Sequence, residues 1–70
     1  MEEEKLNAIR KILDFNSKII FNGIYNKKIS QESIEEIKKE CLKIRDIYNF
    51  NLDCDNIELF RQIADFSKKI

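Results

Sequence analysis

The chain has 70 residues, which is enough for one domain at most and leaves a thin margin for burying a core. Its 13 basic and 13 acidic residues cancel, so net charge gives no general attraction to nucleic acid, anionic membranes or acidic substrates. There is no run of about 18 apolar residues and no basic, apolar leader, so we expect a cytoplasmic protein without a membrane partner.

The first predicted helix covers about residues 2–22. Glu2, Glu3 and Glu4 lie at its amino end, where the helix dipole favours negative charge. Gly23 is placed to end it in the left-handed conformation. Its apolar residues repeat at helical spacing on two adjacent stripes, with Leu6, Ile9, Leu13 and Ile20 on one and Ala8, Ile12, Phe15 and Ile19 on the other.

The second predicted helix covers about residues 31–49. Ser30 is a favourable N-cap, and Ile29 and Ile34 flank it at the spacing of a hydrophobic staple. Acidic residues come early in this helix and basic residues late, which suits the dipole. Its apolar positions follow an alternating spacing of three and four residues: Ile34, Ile37, Cys41, Ile44 and Tyr48.

The third predicted helix covers about residues 56–69. Asp55 and Glu58 have the D-x-x-E spacing of a capping box at its start. Three helices joined by connections without strands predict a single all-α domain over residues 1–70, a three-helix bundle with antiparallel neighbours.

Residues that could support catalysis or bind a metal are scarce. The sequence has no histidine, and its two cysteines, 13 residues apart, do not supply the four ligands of a structural zinc. Gly23 is the only glycine, so there is no phosphate-binding loop. We expect Cys41 to be a reduced core residue and Cys54 a loop residue. The sequence therefore predicts no enzyme, no metal, no cofactor and no small-molecule substrate.

The first and third helices carry more apolar residues than a narrow stripe requires. Their apolar faces are about 180° wide, whereas a surface helix needs a stripe nearer 100°. Two explanations remain open: the helices wrap tightly around one another, or an apolar patch is left for another chain. The residues in excess are Ala8, Phe15 and Ile19 on the first helix and Leu59, Phe66 and Ile70 on the third.

The second explanation predicts a small protein–protein interaction module. It would be a self-associating regulator or inhibitor, a homodimer of the kind found in low-GC bacteria or mobile elements. Asn16 continues the stripe of Leu6, Ile9 and Leu13, and a polar residue at such a position can fix register and oligomeric state. The predicted partner-binding residues are Phe15, Ile19, Leu59 and Phe66.

Nucleic-acid binding is the alternative hypothesis. The basic residues that would contact phosphates lie in the first connection and the second helix, and binding through them would weaken steeply with salt. Acidic residues lie between these basic residues, which favours the interpretation that they form an ordinary solvated helix face. The residues concerned are Lys27, Lys28, Lys38, Lys39 and Lys43.

Overall fold

A computed structural model describes residues 2–22 and 29–70 of the chain, without the side chain of Asn22. It contains three helices, α1 (Glu3–Asn22), α2 (Gln31–Lys43) and α3 (Asn56–Lys69), and no strand in the described ranges. The predicted all-α three-helix fold is confirmed. None of these three helices combines the length and apolarity needed to cross a membrane. The predicted cap at Gly23 lies outside the described residues.

Side-chain caps fix the starts of α2 and α3 where the sequence predicts them. The Ser30 hydroxyl accepts a hydrogen bond from the backbone N–H of Ser33 at 3.1 Å. The Asp55 carboxylate accepts one from the N–H of Glu58 at 2.8 Å. Each bond satisfies a donor that the first turn of a helix leaves without a partner. Both predicted N-caps are confirmed.

The second helix is shorter than predicted, because it ends at Lys43 and not near residue 49. Ile44 leaves helical geometry (φ −119°, ψ 27°), and its N–H bonds the Cys41 carbonyl in a tighter turn. The chain then turns so that the Tyr48 ring packs against Phe50, with ring centres 4.6 Å apart, and edge-to-face against Phe66, at 5.3 Å. Aromatic packing on α3 therefore replaces the helical continuation that the spacing of Tyr48 indicated.

Ion pairs and aromatic contacts establish the directions of the helices. Lys5 pairs with Asp46 and Lys11 with Glu40, so α1 and α2 are antiparallel. The Asn56 amide donates to the Gln31 side chain at 3.5 Å, which brings the amino ends of α2 and α3 together. Both helices therefore run antiparallel to α1, as predicted for its neighbours, and parallel to each other.

Residues 44–55 make the parallel arrangement possible, because they return along α3 to the opposite end of the bundle. The Tyr48 hydroxyl donates to Asp65 at 2.8 Å. The Asn51 N–H donates to the Gln62 side chain at 2.7 Å, and the Gln62 amide donates back to the Asn51 carbonyl at 2.8 Å. This segment closes the side of the bundle between α2 and α3.

The core is wholly apolar, with no buried polar or charged residue among those described. On α1 the buried stripe is the one that contains Ile12, flanked by Ile9. The other α1 stripe, with Leu6 and Ile20, stays near the surface. The core consists of Ala8, Ile9, Ile12, Phe15, Ile19, Ile34, Ile37, Cys41, Ile44, Phe50, Leu59, Phe60, Ile63 and Phe66.

Replacing Ile12 by alanine is expected to lower the free energy of unfolding by about 2–5 kcal/mol, because it leaves a cavity at a fully buried position. Phe21→Ala is the control on the same helix: Phe21 is exposed, so its loss is expected to change stability by no more than about 0.5 kcal/mol. Urea unfolding followed by circular dichroism at one fixed protein concentration measures both. Equal losses for the two variants would contradict the assignment of the buried stripe.

Tyr48→Phe is expected to destabilise the chain most near neutral pH. The hydrogen bond between the two side chains raises the pKa of Tyr48 and lowers the pKa of Asp65. The Asp65 contribution to stability is lost as pH falls below about 4, and the Tyr48 contribution as pH rises above about 10. Unfolding titrations at acidic, neutral and alkaline pH should show the difference between wild type and variant shrinking at both extremes. If the difference in unfolding free energy between wild type and Tyr48→Phe were the same at every pH, the hydrogen bond between Tyr48 and Asp65 would not contribute to stability.

Candidate protein-interaction surface

The four residues predicted to contact a partner are all inside the chain. Phe15, Ile19, Leu59 and Phe66 are buried, so the prediction that they remain exposed is wrong. Phe15 packs against Phe60 with ring centres 5.7 Å apart, because α1 touches two neighbours and needs a wide apolar face. Phe66 is covered by the returning segment 44–55. Close wrapping of the helices thus accounts for these four side chains.

A different set of apolar residues remains at the surface, along the side of the bundle between α1 and α3. On α1, Leu6 is 39% exposed and Ile20 is 73% exposed, and on α3, Ile57 is 43% exposed. Two half-buried residues of α1, Leu13 and Asn16, complete the strip. We call this strip the α1/α3 face, and it consists of Leu6, Leu13, Asn16, Ile20 and Ile57.

Helical geometry explains why the α1 members of this face line up. Leu6, Leu13 and Ile20 are spaced by seven residues, which is nearly two helical turns, so they share one side of α1. That side is about 110–150° around α1 from the centre of the buried stripe. Lys11 and Lys18, which line the cleft towards α2, are on the opposite flank.

The contact between Phe15 and Phe60 aligns the two helices and so extends the face onto α3. Because α1 and α3 are antiparallel, Ile20 lies at the level of the first turn of α3, where Ile57 is found. The α1/α3 face therefore runs along α1 from Leu6 to Ile20 and reaches the first turn of α3 at Ile57.

Asn16 lies within this face and has an unsatisfied polar atom. Its Oδ1 is buried and has no hydrogen-bond partner, the only such side-chain atom among the described residues. An unpaired buried acceptor costs about 1–3 kcal/mol. The residue as a whole is only half-buried, so rotation about its Cβ–Cγ bond can turn the amide towards the surface. A polar group from outside the chain could then satisfy it.

The other exposed apolar residues do not extend the face. Phe21 points about 100° away from Ile20 on the same helix. Leu42 and Ile47 are on or just after α2, and Ile70 is the C-terminal cap residue of α3. Isolated exposed side chains of this kind are common on protein surfaces and need no partner to explain them.

The two cysteines occupy the environments predicted for them, and both are free thiols. Burial raises the pKa of the Cys41 thiol to about 12, so it is protonated and unreactive at neutral pH. Burial also raises the pKa of Cys54, whose sulfur donates to the Asn51 carbonyl at 3.2 Å. In the described ranges, no three His, Cys, Asp or Glu residues are grouped to hold a metal ion.

The lysines of the nucleic-acid alternative do not form one unpaired basic patch. Lys38 pairs with Glu35 at 3.4 Å, and Lys43 pairs with Glu40 at 3.3 Å. Lys39 lines the open cleft between α1 and α2, which also contains three carboxylates. Lys27 and Lys28 lie outside the described residues. The part of this set that the structure describes is therefore interleaved with negative charge.

Comparison of the chain with protein-family models, with curated proteins and with solved structures finds no match. The geometry of the α1/α3 face is therefore the basis for a functional assignment.

Proposed function

We propose that this chain is a non-catalytic protein–protein interaction module that binds an apolar helical surface through its α1/α3 face. The observation that carries the proposal is the row of exposed apolar side chains along α1, continued by Ile57 on α3. A module of this kind acts as a regulator or inhibitor, because an occupied surface on a partner is no longer available to other proteins.

The size and shape of the face support a protein ligand. Its exposed side chains are apolar, and apolar side chains grouped on one side of a small protein are the kind of surface at which protein partners bind. The strip is about 21 Å long, because Leu6 and Ile20 are separated on α1 by 14 residue steps that each rise about 1.5 Å. An elongated apolar strip between two helices fits another helix better than it fits a compact small molecule.

The chemistry of the polar residues supports a binding role in preference to a catalytic one. The face contains Asn16 as its one polar side chain and has no titratable group. The thiol of Cys41, the most deeply buried nucleophile, is held in its protonated form. Binding through shape and apolar contact is what this set of side chains offers.

Photo-crosslinking in the producing cells tests the proposal. We expect Ile57 replaced by p-benzoylphenylalanine to give a covalent protein adduct on irradiation, because Ile57 lies on the face. The same replacement at Leu42, which is 48% exposed on α2, is expected to give none. Gel electrophoresis followed by mass spectrometry identifies the adduct.

A matched pair of leucines tests whether the adduct depends on the face. In the Ile57 variant, Leu6→Asp is expected to remove the adduct, whereas Leu42→Asp should leave it in place. Both leucines have similar exposure, at 39% and 48%, so the two changes differ mainly in location. Absence of an adduct at position 57, or equal adducts at positions 57 and 42, would refute the proposed function.

A further inference from the structure

We draw no further inference here: the strongest candidate, the exposed apolar patch on α1 from Leu6 to Ile20 with the unpaired Asn16 acceptor within it, belongs to the surface already described, and nothing in the structure shows what covers it.

Discussion

The burial of one side of α1 against both α2 and α3 is the contact on which the rest of this fold depends. The two shorter helices pack on α1 more extensively than on each other. α1 therefore needs a wide buried face, and side chains such as Ile12 and Phe15 are enclosed by it. Loss of packing on α1 would leave α2 and α3 with little to hold them in place, since helices of this length are marginal in isolation.

The returning segment 44–55 covers a side of the core that would otherwise need a fourth helix to cover it. It brings Phe50 into the core and covers Phe66, and its backbone bonds are satisfied by side chains of α3 such as Gln62. The segment thus closes the side of the bundle between α2 and α3, while Leu6 and Ile20 of α1 retain exposed apolar surface.

Local sequence signals identified the helices well, because their causes are local. The N-caps at Ser30 and Asp55 depend on hydrogen bonds to residues three positions away, and the structure contains both bonds. The end of α2 could not be found in this way. Tyr48 keeps helical spacing in the sequence, but its ring packs on Phe66 and its hydroxyl bonds Asp65, contacts that exist only once α3 is in position.

The position of the candidate surface could not be predicted from the sequence for the same reason, because it depends on contacts between distant parts of the chain. Periodicity shows that α1 has two apolar stripes, yet both have the same spacing, so it cannot tell which is buried. That choice depends on where α3 and segment 44–55 lie, and it made Phe15 and Ile19 core residues while Leu6 and Ile20 stayed exposed. Asn16 could have distinguished the two stripes, because a stripe that contains a polar residue is less suited to complete burial within one chain.

Asn16 would also allow this face to discriminate between partners, which an entirely apolar face would do less well. An apolar strip gains stability from any apolar surface that covers it, at roughly 25 cal/mol for each Å² removed from water. A covering surface that offers no polar group leaves the Asn16 acceptor unpaired and forfeits part of that gain. The strip supplies the general attraction, and the amide distinguishes partners that present a hydrogen-bonding group at its level.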